Sequence, residues 1–136
     1  MREQLSQAVL KILKSVDGLG LVTRDPQNIE DLARTNFPCV IQNATSEVRE
    51  FIAGGGPDYI MSKITYELAL WTQSPFVDTK RNNLFDSIET ALNADRKLGG
   101  LASDLVIREI RVEPQGSAPY SQSTLVLEVD YCFKRA

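Results

Sequence analysis

Histidine is missing altogether from this 136-residue chain, and with it go the commonest general base and the commonest metal ligand of proteins. Cysteine is scarce, with Cys39 and Cys132 far apart in apolar, strand-like runs. Two distant thiols without a histidine do not make a zinc site, and each is read as a small buried hydrophobe. No run of about 18 apolar residues occurs, so no membrane-spanning helix is expected. The opening MREQLSQAV lacks the long apolar stretch of a secretory signal, and the expected place of synthesis and use is a cytoplasm. Neither sign of charge dominates. The formal net charge of −3 argues against the basic balance of a nucleic-acid-binding protein, and no acidic tail is present.

The motifs of common chemistries are also absent. Gly54-Gly55-Gly56 is followed by Pro57. A phosphate-binding loop needs a Gly-Lys-Ser/Thr after it, and a dinucleotide site needs the Gly-x-Gly-x-x-Gly register at a helix start. The triplet is therefore read as a turn or loop. No Gly-x-Ser-x-Gly elbow occurs, and no histidine exists to activate a serine. Asp86 with Glu89, and Asp95 with Asp104, are the available carboxylate pairs, and such pairs on a helix are normally a solvated face. Lys80-Arg81 and Arg96-Lys97 stand at opposite ends of one predicted helix and form no stripe with interleaved aromatics, so no nucleic-acid groove is expected. No catalytic, cofactor-binding or metal-ligating residue is assigned, and the chain is not read as an enzyme.

What the chain does contain is clear periodicity. Leu5, Val9, Ile12, Leu13 and Val16 fall on one face of a helix over 3–16. Gly18 and Gly20 end it, and Leu19, Leu21 and Val22 suggest a short strand. Asp25 as N-cap and Pro26 at the first helical position predict a short helix over Gln27 to Arg34. Phe37 to Ile41 reads as a strand with Pro38 near its start. Glu47 to Ile52 fits a strand or a single helical turn. From Ile60 to Thr72, Ile64, Tyr66, Leu68 and Leu70 alternate with Thr65, Glu67, Ala69 and Trp71, the period of a half-buried strand.

The longest helix begins between Asp78 and Asn83. Lys80 and Arg81 in its first turn would oppose the helix dipole. Either Asn82 or Asn83 caps it and leaves the basic pair in a loop, or a partner supplies acid. Leu84, Phe85, Ile88, Ala91 and Leu92 make the buried stripe, and Gly99 is the expected left-handed C-terminal stop of a helix running on to Gly100. Two strands follow. In the first, Val106, Ile110 and Val112 share one parity, and Leu105 and Ile107 the other, which points to a bulge or to burial of both faces. In the second, Leu125, Leu127, Val129, Tyr131 and Phe133 alternate with Val126, Glu128, Asp130, Cys132 and Lys134. The opposite face is half solvated or meets a partner. The expected architecture is a single α+β domain over 1–136, with a mixed or mostly antiparallel sheet packed on one face by the two longer helices.

Two connections are long for so small a chain: Gly54 to Asp58 with its flanks, and Glu113 to Gln122. On a chain without catalytic equipment they are natural arms for gripping a neighbour. The candidate contact residues are Gly54, Gly55, Gly56 and Asp58 in the first, Gln115, Gly116 and Tyr120 in the second, and the Lys80-Arg81 pair.

LFDSIETALNADRKLGG over Leu84–Gly100, followed by two strands ending in TLVLEVDYCF, resembles the tail-terminator family of tailed bacteriophages. Ala91-Leu92, Asp95, Leu98, Gly99 and Gly100 carry the best part of the match. Ala8-Val9-Leu10 with Ile12-Leu13 and Gly18-Leu19 is similar to the family's first helix and turn, Phe37 to Ile41 to its "lP-x-v-x-v" strand, and Glu128 to Tyr131 to its closing strand. The stretch from Asn43 to Tyr59 matches least. The resemblance implies a virion protein of the tail neck that assembles as a homo-hexameric ring on the last ring of tail-tube protein. Such a ring stops tube polymerisation and offers a surface to the head–tail connector protein; in contractile tails it also contacts the last sheath ring. The alternatives are another neck protein, joining the connector from the portal side, or a small ligand-binding or enzymatic α+β domain.

Overall fold

The computed structural model describes residues 1–51, 59–73, 78–113 and 119–134. Helix α1 spans Arg2–Lys14, and strand β1 spans Leu21–Thr23. Single turns follow at Ile29–Asp31 and Arg34–Asn36, then β2 (Cys39–Phe51), β3 (Tyr59–Gln73), α2 (Asp78–Asn93), a turn at Leu98–Gly100, β4 (Asp104–Arg111) and β5 (Tyr120–Lys134). The five strands form one sheet in the order β1-β2-β3-β5-β4. β1 runs parallel to β2, and the other neighbours are antiparallel. This is the α+β arrangement that the periodicities predict.

The two periods meet in the core. Leu5, Val9 and Leu13 repeat every fourth residue, so α1 turns one stripe inward. α2 does the same with Leu84, Phe85, Ile88 and Leu92. Both stripes pack on Val40, Ile64, Tyr66, Leu68, Leu70, Leu125, Leu127, Val129 and Tyr131, which lie on one face of the sheet. In β3 every second residue from Ser62 to Thr72 is buried, as a strand with one covered face requires. Burying a leucine side chain is worth about 1.5–3 kcal/mol. An exposed ion pair such as Arg24–Glu3 (2.7 Å) is screened by solvent and contributes little. Packing of α1 on the sheet therefore outweighs its surface pairs.

Four expectations need correction. The segment Gln27 to Arg34 is not a helix, because Leu32 and Ala33 are extended (ψ 143 and 154) and separate the two turns. Asn28 Nδ2 donates to Asp31 (2.9 Å) and Asn36 Oδ1 accepts from the Ala33 amide (3.1 Å), so short local bonds replace the helical ladder. Neither turn buries a residue, and eight residues are below the length at which a helix holds without tertiary packing. The strand begun at Cys39 runs on to Phe51 and absorbs most of the stretch left open between strand and helical turn.

The third correction concerns α2. Lys80 and Arg81 lie inside it, and the acid that offsets them comes from the chain itself, with Asp78 Oδ1 accepting from Arg81 Nη2 at 2.8 Å. α2 also ends at Asn93, not at the glycine pair. The chain then turns through Leu98 (φ 48), Gly99 (φ 67) and Gly100 (φ 96), with Asp95 Oδ1 accepting from the Gly99 amide (3.0 Å). Finally, Cys39 is buried as expected, but Cys132 is exposed on the uncovered sheet face. The bulge signalled by the mixed parity of 105–112 is present: the β4–β5 register shifts between Ile107 and Glu109.

Candidate functional site

The candidate contact residues do not converge. Gly54, Gly55, Gly56, Asp58, Gln115 and Gly116 lie outside the described residues. Lys80 is exposed in the first turn of α2 and lines an open cleft of about 280 Å³ with Asp17, Gly18, Pro38, Asn83, Leu84 and Ser87. Arg81 does not line this cleft. It is only 8% exposed, and its Nη1 donates to the Glu113 carbonyl at 3.5 Å, bracing α2 against the end of β4. Tyr120 is half-buried and stacks on Phe37, with ring centroids 5.5 Å apart. Arg81 and Tyr120 are thus engaged within the chain.

Periodicity gave no sign of the polar cluster at the far end of β2. Glu47 accepts from Arg2 Nε at 2.7 Å and Arg2 Nη2 at 3.0 Å. It also accepts from Arg49 Nε (3.0 Å), Tyr131 Oη (3.3 Å) and Ser62 Oγ (3.4 Å). One carboxylate therefore ties the start of α1 to β2, β3 and β5. Charge-assisted bonds favour the ionised form, and the Arg2 bonds, followed by those of Arg49, bring Glu47 down to a pKa of about 2 against the burial that opposes them. Arg49 also lies over the Phe133 ring, 4.7 Å from its centroid. The cluster is legible only in three dimensions, because its members are 45 and 84 residues apart in sequence.

The sign of the linkage follows from the lowered pKa. The unfolded chain binds a proton at Glu47 before the folded chain does, so this stabilisation is complete above the ordinary carboxylate range. It is lost as pH falls from about 5 towards 2. With the Glu47 side chain 18% exposed, we expect Glu47→Gln to cost about 1–3 kcal/mol at neutral pH. The cost should shrink towards zero near pH 2 in denaturant titrations of both proteins. An undiminished difference at low pH would mean that the carboxylate charge is not what matters.

The uncovered face of the sheet carries a second layer of pairs. Glu128 bridges Arg108 (3.1 Å) and Lys63 (3.4 Å), and Arg111 bridges Glu109 (2.9 Å) and Glu67 (3.3 Å). Arg96 binds Asp104 through two bonds of 2.9 and 2.8 Å. The shifted carboxylates Glu3, Glu47, Asp104 and Glu128 all move downward, each chiefly through a hydrogen-bonded arginine. None of these four is raised towards the range of a general acid at neutral pH. Tyr66 and the Cys39 thiol are pushed up by burial. Asp95 and Asp104 do not act as a pair: one holds the Gly99 amide, the other Arg96. Among the described residues no group of three or more acidic or thiol side chains is placed to hold a metal ion, and no helix is long and apolar enough to cross a membrane.

What remains open is the pair of sheet edges. β1 covers only Cys39 to Ile41 of β2, so from Gln42 to Phe51 the outer side of β2 has no strand partner among the described residues. Among the described residues β4 likewise has a strand on one side only. Val48 (56% exposed) stands on the first edge and Val106 (42% exposed) on the second, with Ile110 and Val112 also exposed at the β4 end. Unpaired edges with apolar side chains are sites for strand addition. No known protein-family model matches the chain, and no curated protein matches it.

Proposed function

We propose that this chain is a tail-terminator-type protein: a subunit of a ring that closes the head-proximal end of a phage tail tube, ends its polymerisation and receives the head connector. The reading rests on the likeness of Leu84–Gly100 and of the closing strand to that family. The observation that carries it furthest is the presence of two different open edges, at β2 and β4, on opposite sides of one sheet. A ring of identical subunits needs a heterologous contact, in which two unlike surfaces of the chain meet, and these edges supply two unlike surfaces. The ion-paired carboxylates fit an assembly role, since fixed surface charges set register and exclude wrong partners more than they add affinity.

Native mass spectrometry over a range of concentrations tests the proposal. The expected species is a hexamer, alone or in equilibrium with monomer. The hexamer, or the monomer supplied in its place, should bind the ends of tubes made from a tube protein encoded beside it and stop their growth. A chain that neither oligomerises nor affects tube length would overturn the reading.

A further inference from the structure

We infer that neighbouring copies join edge to edge, with β4 of one chain adding to the open outer edge of β2 in the next, in antiparallel register with Val106 opposite Val48. This rests on the ring reading above and names its contact. The first support is direction. β2, β3, β5 and β4 are successively antiparallel, so β4 runs opposite to β2. A copy set beside β4 by a rotation along the strand direction therefore presents its β2 antiparallel to it, the pairing that forms the more stable ladder.

The second support is the matching of faces. In a sheet, a one-residue slip turns every side chain to the wrong side. Val48 lies opposite Lys63 in β3, and Val106 opposite Glu128 in β5. Lys63 and Glu128 are ion-paired on the uncovered face, so both valines stand on that face. Each edge strand also contains one extra residue, Thr45 in β2 and Arg108 in β4. Each bulge reverses the face pattern of its own strand. With Val106 opposite Val48, Arg108 falls opposite Ser46 and Thr45 opposite Glu109, so the two reversals coincide. Beyond them Ile110 meets Ala44 on the helix-covered face and Arg111 meets Asn43 on the other. One register thus keeps like faces together along the eight residues of β4. A single bulge would have broken it.

The third support is completeness. One head-to-tail contact, repeated, pairs the open edges of every copy. A two-fold pairing of β4 with β4 would also align faces, setting Asp104 against Arg111, but it leaves the β2 edge of both copies bare. The cost of the proposed register is one like-charge pair, Asp104 with Glu50, and Asp104 already has Arg96 on it.

Disulfide trapping tests this. In a Cys132→Ser background, which removes the exposed thiol, V48C and V106C are made separately and each is checked for wild-type circular dichroism. The expected result is an oxidative cross-link when the two proteins are mixed and none in either alone, because directly opposed residues of a ladder lie within reach of a disulfide. The double variant V48C/V106C should form a ladder of products ending at the ring. As an independent readout, Val106→Lys should weaken self-association of the full chain about tenfold or more without unfolding it, since a lysine on an edge blocks strand addition. Cross-linking of V106C with itself would point to a two-fold β4–β4 pairing centred on Val106, in another register than the one above, and overturn the contact. A hexamer by mass without a mixed cross-link would leave the ring reading standing and remove this interface. No oligomer, no mixed cross-link at the highest soluble concentration and no effect on tube length would remove both.

Discussion

Replacing Gly20 by alanine is expected to destabilise the fold by about 3 kcal/mol or more. A Cβ on Gly20 would run into the Thr35 carbonyl oxygen and come within 2.5 Å of the Asn36 carbonyl carbon and 2.8 Å of its oxygen. These are backbone atoms, so no side chain can swing aside. The same glycine donates its amide to the Pro38 carbonyl at 2.7 Å, at the point where the chain enters β1 beside β2. Relief of the clash would pull the 35–36 backbone away from β1 and strain that bond. The fault is steric and not conformational, which separates it from Gly18. There the φ of +93 disfavours any side chain, but the nearest atom to a Cβ is Leu84 Cδ1 at 3.9 Å. Gly18→Ala should cost about 1–2 kcal/mol. Urea denaturation of the two variants decides the matter, and equal losses would mean that the close approach at Gly20 relaxes freely.

Truncating Leu98 should give the second large effect, with an inverted order of variants. Leu98 is 2% exposed and belongs to the core cluster, yet its φ is 48, in the left-handed region. The side chain follows α2 by a few residues and belongs to the same core cluster as Leu105 and Ala102. Leu98→Ala removes that packing and is expected to cost about 2–5 kcal/mol. At an ordinary interior position glycine is worse than alanine by about 0.5–1 kcal/mol. Here the left-handed backbone costs a residue with a Cβ about 1–2 kcal/mol, and glycine is spared it. Leu98→Gly should therefore be as stable as Leu98→Ala or more so, judged by thermal and urea unfolding together. If the glycine variant is clearly the weaker one, the positive φ at Leu98 carries no cost. The adjacent Gly99 and Gly100 have open space where a Cβ would sit, so alanine there should show the conformational cost alone.

The Leu98 turn also bears on the proposed assembly. It carries the chain from α2 to β4, and Ser103 just before β4 donates its amide to Asp130 at 2.7 Å. That bond and the bidentate Arg96–Asp104 pair anchor the start of the outer strand. An edge intended for a partner needs this kind of fixing, because a strand already held in place gives up less freedom on binding. Damage to the turn should therefore weaken self-association along with stability, whereas Glu47→Gln acts at the opposite end of the sheet on the β2 edge.

Much of this was legible in the residues alone. The period of α1 is written in Leu5, Val9 and Leu13, that of β3 in Ile64 to Leu70, and that of β5 in Leu125 to Tyr131, because each element buries one face and repeats at its own pitch. The bulge in β4 showed as a broken parity. Where burial is weak the pattern failed: the segment 27–34 reads as a helix by its cap residues, but asparagine side chains and extended residues divide it into two turns. α2 ends at Asn93, and the positive-φ turn at Leu98, Gly99 and Gly100 comes only after a further stretch of turn. Strand order, the Glu47 cluster and the two open edges depend on residues distant in sequence, which hydrophobic periodicity does not encode. By itself the sequence determined the class of fold, the inward faces of its helices and strands, and the lack of a histidine-based site. Only the tertiary structure decided that Arg81 is buried, that Cys132 is exposed, and that β2 and β4 stand at the open edges. Local pattern sets which face of an element is apolar, but only the assembled sheet determines which strands are left without a neighbour.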